Sequence, residues 1–401
     1  MPSSPDFQPQ VSEEALAAFL QALVRVPSIN PPGGEGPVAA IIAARLRELG
    51  ADIQVVESDP GRANVIAHFQ GTGRGPTLLL NGHMDVQPAG HGWTRDPFGG
   101  EIEDGRLYGR GVVDMKAGVA AMVVAAEIVR RAGIRLAGDL VLTAVADEVS
   151  GGYKGTGFLT QMGLLRADAA VICEPTGERV NVAHRGALWL EIEITGRSAH
   201  GGRPWLGISA ISKAAKIVRA IEEELLPRLQ GRTHPLLPSP TINLGTIHGG
   251  DKFNLVADRC LLQIDRRLIP GETIPQAVAE VEALCEAVRA ADDQPFGCTV
   301  RDVMHLPPAE VSPDEMIVQE CLRAYREVTG RPAGIGATAG FEDAHFLLAA
   351  GIPTAMFGPY RREPPGARWF SSSGMPDEHV YLADVVTTAR IYARLIRNVL
   401  E

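Results

Sequence analysis

The stretch TLLLNGHMD at residues 77–85 places a short apolar run directly before a histidine and an aspartate. The run 77–80 is typical of a buried β-strand, since it is short and bounded by Asn and Gly. If the strand continues, His83 and Asp85 lie on the same side, because side chains alternate along a strand. A neutral imidazole is a good zinc ligand, and a nearby carboxylate can hold its other nitrogen. Taken alone, a capped loop with a surface histidine explains the segment equally well.

Further apolar runs follow at 140–145 and 169–172, and an Ala/Val-rich helix is predicted over 117–134. Strands that are apolar throughout and alternate with helices indicate a largely parallel sheet with both faces covered. The expected fold class is α/β, with a mixed, mostly parallel sheet covered by helices.

The pattern changes near residue 187, where 188–194 alternates apolar and charged residues. The order strand, helix, strand, strand, helix, strand up to residue 304 predicts an inserted α+β sandwich of the split βαβ type. We therefore expect a catalytic domain in two parts, 1–186 and 305–401. An inserted domain over 187–304 interrupts it.

Composition limits the class of partner. The 401 residues carry a formal net charge of -10, so neither nucleic acid nor a membrane surface is an expected partner. Five scattered cysteines without a CxxC pair argue against a disulfide framework. Residues 1–12 lack the features of a secretory leader, and no apolar stretch is long enough to span a membrane. A cytoplasmic location is expected.

Carboxylates follow the other predicted strands or precede the predicted helix. Asp114 lies in GRGVVDMKAG, where it can bridge a metal or merely cap the helix. Glu148 follows the strand 140–145 and suits a general base, although a solvated acidic loop is the alternative. Glu174 follows 169–172 and can complete a metal shell, or be a plain loop carboxylate. Because α/β enzymes keep their sites at the carboxyl ends of strands, the groups are expected to converge.

In combination and in order, these motifs resemble the zinc metallopeptidase family of aminoacylase, acetylornithine deacetylase, succinyl-diaminopimelate desuccinylase and carboxypeptidase G. The resemblance runs from about residue 13 to the C-terminus. It implies that His83 and Glu174 bind the first zinc ion and that Asp114 is the bridging carboxylate. It further implies that Asp85 orients His83 and that Glu148 is the general base.

The inserted domain carries motifs of the same family. GRSAHGGRP at 196–204 is similar to a lid segment whose histidine polarises the substrate carbonyl, usually across a dimer interface, which implies that role for His200. The segments 249–254 and 265–271 imply that Asn254 and Arg267 contact the substrate or its carboxylate, for which a guanidinium fork is suited. The resemblance implies that the inserted domain 187–304 is a lid and dimerisation domain, and that the protein forms a homodimer through it.

Two positions depart from the family pattern. Val149 stands where the family has a second carboxylate after the general base, and Gly374 stands where it has a metal-binding histidine. Neither side chain can donate to zinc, so the second metal site keeps only Asp114 from its usual set. Replacement ligands, each also explicable as an ordinary polar residue, are Glu342, Asp343, His345 and His379.

We therefore predict one metal ion, or a rebuilt site with unusual ligands. His83, Asp114 and Glu174 plus water make an ordinary open catalytic shell. Zinc is the default metal, and cobalt or manganese also suits these ligands.

The leading functional hypothesis is hydrolysis of an amide in an N-acyl amino acid or small peptide-like substrate. The altered second site motivates an alternative, hydrolysis of another C–N bond in an aryl amine, carbamoyl group or ring amide. A non-catalytic binding protein on the same fold is the third hypothesis, against which the retained site residues argue. Residues 361–362 and 369–370 lie where the family closes its site, and they either shape the pocket or form a surface loop.

Overall fold

The computed structural model describes residues 10–359 and 372–401 of the chain. Helices in these ranges are α1 (Glu13–Val24), α2 (Gly36–Glu48), α3 (Ala117–Arg131), α4 (Thr156–Gln161), α5 (Ala210–Ala220), α6 (Leu226–Gln230), α7 (Ile274–Ala290), α8 (Met316–Thr329), α9 (Ala344–Ala349) and α10 (Leu382–Leu400). Strands are β1 (Asp52–Glu57), β2 (Ala63–Phe69), β3 (Thr77–His83), β4 (Ile102–Glu103), β5 (Arg106–Tyr108), β6 (Asp139–Val145), β7 (Ala169–Ile172), β8 (Arg179–His184), β9 (Gly186–Thr195), β10 (Thr241–Gly249), β11 (Arg259–Leu268), β12 (Gly297–Leu306), β13 (Ala309–Glu310), β14 (Gly334–Thr338), β15 (Thr354–Met356) and β16 (His379–Tyr381).

The chain divides into two compact units. The first is formed by the chain up to Val182, by Val311–Gly336 and by the chain from Glu342 onward. The second comprises Ala183–Glu310 and Ala337–Phe341. It therefore includes a short later segment in addition to the region around the predicted 187–304. Within the described ranges, no helix combines the length and apolar character needed to cross a bilayer.

The main sheet has the strand order β1-β2-β6-β3-β7-β15-β8-β13, with β14 also paired to β8. Its central strands β6, β3, β7 and β15 run parallel to their neighbours in that group. Alternate residues of β3 enter different cores, since Leu78 and Leu80 pack with α3 and α10 while Leu79 packs with α4 and α9. Helices cover both faces, as near-continuous apolar strands require, and the predicted α/β fold class is confirmed.

The flanking parts of this sheet were not anticipated. Strands β1 and β2 form an antiparallel edge, with β2 antiparallel to β6. β1 is largely exposed and has charged residues at both ends, so its sequence lacks the apolar run that identifies a buried strand. A small sheet, β16-β5-β4, is also absent from the sequence prediction.

The second unit contains an antiparallel sheet in the order β10-β11-β9-β12. Helices α5 and α7 pack on one of its faces, where alternate apolar residues of β9 form the core with them. The chain order β9, α5, β10, β11, α7, β12 is the split βαβ arrangement expected from the alternation in β9.

Candidate metal centre

Three parallel, adjacent strands bring the candidate residues to one edge of the main sheet. His83 is the last residue of β3, which lies between β6 and β7. Glu148 begins a short 3-10 turn after β6, and Glu174 lies two residues beyond β7. Because parallel strands present their carboxyl ends at the same edge, residues far apart in sequence converge there.

The His83 ring is the centre of this arrangement. Its Nε2 lies 3.0 Å from Asp114 Oδ1, 3.4 Å from Glu174 Oε1 and 3.6 Å from Glu148 Oε2. Among the described residues, the ligand atoms of His83, Glu148 and Glu174 all lie within 4.8 Å of one another, and these three residues are buried. The structure therefore brings together the imidazole and the carboxylates that the sequence singled out.

Asp114 comes from the segment before α3, and its position shows that it is not the cap of that helix. The residue before α3 is Lys116, whose side chain makes no capping bond. Instead, Asp114 Oδ2 accepts a hydrogen bond from Ser373 Oγ at 3.2 Å. α3 can approach the end of β7 because a Cβ at Gly118 would lie only 2.0 Å from the Cys173 carbonyl oxygen.

Asp85 is fully buried, and it contacts the segment that carries Glu148 as well as His83. Its carboxylate accepts the backbone N–H groups of Glu148 and Val149, both at 3.1 Å. The nearest Asp85 oxygen to His83 Nδ1 is the main-chain carbonyl at 2.9 Å, whereas the carboxylate oxygen lies at 3.4 Å. The side chain of Asp85 thus fixes the turn that carries Glu148 as well as lying beside the imidazole.

The electrostatics reflect like charges gathered in a dry site. Burial lowers the pKa of His83, but the charge of Glu148 and hydrogen bonds to Asp114 and Asp85 outweigh it, so the pKa lies well above its ordinary value. Burial raises the pKa of Glu148 well above its ordinary value, with Glu174 and Asp114 adding repulsion that the charge of His83 partly offsets. Burial and the charge of Asp114 raise the pKa of Glu174. Such a cluster favours a bound cation.

The donor set fits a divalent metal ion of the zinc type. One imidazole nitrogen and carboxylate oxygens are ordinary zinc ligands, and the buried carboxylates leave an excess of negative charge that a cation would offset. His83 Nδ1 is engaged by Asp85, which leaves Nε2 facing the carboxylates. This is the usual way in which a second hydrogen bond orients a ligating histidine.

The positions that depart from the family pattern lie beside this centre. Val149 follows Glu148 in the 3-10 turn and is half-buried. Gly374 has a left-handed backbone with φ of +73°, and a Cβ there would lie 3.5 Å from Gln87 Oε1. The next residue on its N-terminal side, Ser373, supplies the contact to Asp114.

Among the candidate replacement ligands, Asp343 carries a charge that acts on the centre. It is buried, accepts from Thr156 Oγ1 at 2.6 Å, and has a pKa raised to about 7, chiefly by burial. A Cβ at Gly152, where φ is +73°, would lie 2.2 Å from Asp343 Oδ1, so only glycine leaves room for this carboxylate. The charge of Asp343 in turn contributes to the raised pKa of Glu148.

The other replacement candidates make contacts of a different kind. His345 Nδ1 lies 2.9 Å from the Glu342 carbonyl oxygen, and its ring packs against Phe346. Burial lowers the pKa of His345 to about 4. His379 Nδ1 lies 3.0 Å from the Asp377 carbonyl oxygen, and its ring packs against Tyr108.

Asp343→Asn is expected to stabilise the metal-free protein at alkaline pH. A carboxyl whose folded pKa is about 7, against 3.8 ordinarily, holds its proton in the folded state where the unfolded state has lost it. The contribution of this carboxyl to the stability of the wild type therefore falls between about pH 4 and pH 7, at about 1.4 kcal/mol per pH unit. The variant should gain up to about 4 kcal/mol at pH 8 and little at pH 4. Urea unfolding of chelator-treated protein measures this.

Asp139→Asn is a control of opposite sign. The N–H of Gly71 and the neighbouring His68 hold the pKa of Asp139 below its ordinary value. Its stabilisation is therefore present above the ordinary aspartate pKa, and the variant should lose stability relative to wild type as pH rises. A gain for Asp343→Asn that does not change with pH would contradict the assignment of a raised pKa.

The second unit holds the remaining predicted residues. His200 is exposed, and its Nδ1 accepts the Gly202 N–H at 3.0 Å, so a neutral ring carries its proton on Nε2. Gly201 N donates to the Asn254 carbonyl oxygen at 2.8 Å, which brings the His200 and Asn254 segments side by side. Arg267, on β11, is held by Asp265 through Nε at 2.9 Å.

Sequence reasoning missed several buried residues next to Asp85. Asn30, Glu35 and Arg62 form a hydrogen-bonded series with Asp147. Asn30 and Glu35 belong to the segment NPPGGE at 30–35, which carries no motif that points to these contacts. Arg361, Arg362, Trp369 and Phe370 lie outside the described residues.

Comparison with known proteins identifies the family of this chain. Residues 79–398 match the model of peptidase family M20/M25/M40. An acetylornithine deacetylase of Edwardsiella ictaluri is 36% identical over 269 residues, which cover 64% of this chain and 68% of that protein. A tripeptidase from Staphylococcus aureus superposes with a TM-score of 0.78 at 23% identity, covering 97% of this chain and 99% of its own. Aminopeptidase PepT from Bacillus cereus superposes with a TM-score of 0.77 at 23% identity, covering 97% of this chain and 99% of its own.

The chain belongs to peptidase family M20/M25/M40, because the family model covers most of its length. It is a metal-dependent hydrolase of that family. The resemblance inferred from the sequence motifs is thereby confirmed.

Proposed function

We propose that this protein hydrolyses the amide bond of an N-acyl amino acid or small peptide-like substrate. The observation that carries the proposal is the convergence of Asp114, Glu148 and Glu174 on Nε2 of His83. The relative of E. ictaluri, an acetylornithine deacetylase by its name, supports the substrate class.

His83, Asp114 and Glu174 would hold the metal, with zinc as the default and cobalt or manganese as alternatives. A bound zinc ion lowers the pKa of water toward ~7 and polarises a carbonyl. Glu148 takes the proton of the attacking water and delivers it to the leaving nitrogen. Burial, which raises the pKa of this carboxyl, favours a group that can both accept and return a proton. Asp85 keeps Glu148 in place through its backbone N–H.

The first test is a substrate panel with metal removal. N-acyl amino acids should be hydrolysed, and dialysis against a chelator should abolish turnover until zinc is restored. Preference for carbamoyl compounds or ring amides would favour the alternative C–N bond hydrolase. Metal binding without hydrolysis of any N-acyl amino acid, carbamoyl compound or ring amide would favour a non-catalytic binding protein and contradict the proposal.

We further propose a single catalytic metal ion. The double variant Val149→Glu with Gly374→His should raise zinc content from about one to about two ions per chain, since it adds a carboxylate and an imidazole to the Asp114 side. Each single variant should stay near one. A left-handed residue at 374 costs about 1–2 kcal/mol, so content is measured on folded protein by elemental analysis. Two ions in the wild type would contradict the proposal.

Residues of the second unit complete the proposal through the family resemblance. His200 is proposed to stabilise the oxyanion through its Nε2–H, and Asn254 and Arg267 to contact the substrate. A homodimer formed through this unit is also proposed. Its support is the apolar surface beside the His200 segment, where Phe253 is 99% and Trp205 is 71% exposed. Sedimentation equilibrium of the wild-type chain tests the dimer.

A cytoplasmic location is proposed from the five cysteines, which form no disulfide.

A further inference from the structure

A buried asparagine links two carboxylates beside the candidate metal centre. Asn30 is 2% exposed, and its Nδ2 donates to Asp85 Oδ2 at 2.8 Å and to Asp147 Oδ1 at 3.2 Å. An ionised carboxylate can accept hydrogen bonds but cannot donate them, so the nitrogen of the amide must face both acids. Asn30 therefore satisfies both acids without adding a charge.

We propose that Asn30 is a positioning residue for the hydrolytic reaction, acting through Asp85 on both His83 and Glu148. This inference rests on the proposed function. The Asp85 carboxylate has to lie beside His83 Nδ1 and accept the N–H groups of Glu148 and Val149 at once. The short bond from Asn30 fixes the rotation of that carboxylate, and with it the metal ligand and the turn of the base.

The far side of Asn30 is equally well anchored. Asp147 Oδ1 also accepts a hydrogen bond from Arg62 Nη2 at 2.8 Å. Arg62 forms a bidentate ion pair with Glu35, in which Nε and Nη2 each donate to a carboxylate oxygen at 2.9 Å. These residues are buried, with Glu35 and Asp85 at 0% exposure. The result is a continuous series of hydrogen bonds from Glu35 through Arg62, Asp147, Asn30 and Asp85 to the metal centre.

Charge explains why an amide occupies this position. The series holds three carboxylates, Glu35, Asp147 and Asp85, against one guanidinium, Arg62. An aspartate at position 30 would place a further negative charge against two acceptors, and an uncompensated buried charge is strongly destabilising. A neutral donor is the side chain that joins Asp85 to Asp147 without that cost.

Backbone bonds hold residue 30 in place independently of its side chain. Asn30 N donates to Val86 O at 2.9 Å, and Val86 N donates to Ser28 O at 2.9 Å. Ser28 Oγ adds a buried bond to Met84 O at 2.6 Å. Ser28 and Asn30 thus join the same two segments, but only Asn30 touches a carboxylate, so Ser28→Ala is a matched control.

The test compares Asn30→Ala with Ser28→Ala in the full-length protein. Zinc affinity is measured by competition with a chromophoric chelator, and kcat and KM on an N-acyl amino acid that the wild type hydrolyses. Loss of a group that orients a metal ligand costs about 10–100-fold in affinity or activity. Asn30→Ala should therefore weaken zinc binding and lower kcat by about that factor, with KM changed much less because Asn30 is proposed to act through Asp85. Ser28→Ala should leave both close to wild type.

Two further variants keep the proposal testable if Asn30→Ala does not fold. Asn30→Ser retains one small donor and should fall between wild type and Asn30→Ala, whereas Asn30→Asp keeps the shape and should be the most impaired. Equal effects of Asn30→Ala and Ser28→Ala would overturn the proposal, since they would reflect loosened packing alone. If the wild type hydrolyses no amide in the panel, the proposed function fails, but the zinc affinities still decide the role of Asn30.

Discussion

Glu148→Gln is expected to lower kcat by about 10²–10⁴-fold, the range that a positioned general base contributes. Glutamine keeps the size of the side chain and can still occupy the space 3.6 Å from His83 Nε2, but it cannot accept a proton from water. Zinc content of the purified variant should remain near that of the wild type, because the proposed ligands His83, Asp114 and Glu174 are unchanged. Steady-state kinetics and elemental analysis together check the result.

The measurement also separates two roles that the geometry allows for Glu148. Its ligand atom lies with those of His83 and Glu174 in the group able to hold a metal ion. A variant that loses its zinc along with its activity would show that Glu148 is a ligand, and would contradict its assignment as the base. Glu127→Gln is the control, since Glu127 is a buried carboxylate paired with Arg45 at 2.7 Å within the first unit.

The central strands and their ends could be predicted because each strand has a recognisable local sequence pattern. The strand that ends at His83 contains the apolar run Leu78, Leu79 and Leu80, and Glu148 and Glu174 follow similar runs. Their parallel pairing then follows from the alternation of strands with helices. Convergence of the site is a consequence of that topology, so it required no knowledge of individual side-chain contacts.

The surroundings of the site could not be predicted in the same way, because they depend on contacts between distant segments. Asn30 and Asp85 lie 55 positions apart, and nothing local to NPPGGE marks Asn30 as the partner of a carboxylate. Asp343 acts on the centre although it is 187 positions from Thr156, its hydrogen-bond donor. The sequence could name Asp343 as one polar candidate among several, but only burial and the space above Gly152 distinguish it.

His83→Ala is expected to have the largest effect on the molecule, since it removes both the central ligand and the positive partner of the buried acids. Zinc affinity should fall by more than about 100-fold, beyond the usual cost of losing a group that only orients a ligand. The metal-free protein should lose about 3–5 kcal/mol of unfolding free energy, as expected when one partner of a buried charge cluster is removed. Burial lowers the pKa of His83, but the charge of Glu148 and the hydrogen bonds to Asp114 and Asp85 outweigh it and raise the pKa well above 6.5. The stabilisation by His83 is therefore complete below the ordinary histidine pKa. It is lost as pH rises through the pKa of His83 in the folded state.

His68→Ala provides the matched comparison for this last variant. His68 Nε2 lies 2.9 Å from Asp139 Oδ2, but the two side chains are 39% and 29% exposed, so the pair is screened by water. Its removal should cost only about 0–1 kcal/mol and leave zinc binding unchanged. Urea unfolding of chelator-treated protein at pH 6, together with zinc titration, measures both variants. If His83→Ala were no more destabilising than His68→Ala, the buried acids would not depend on the imidazole for their charge balance, and the proposed centre would lose its electrostatic basis.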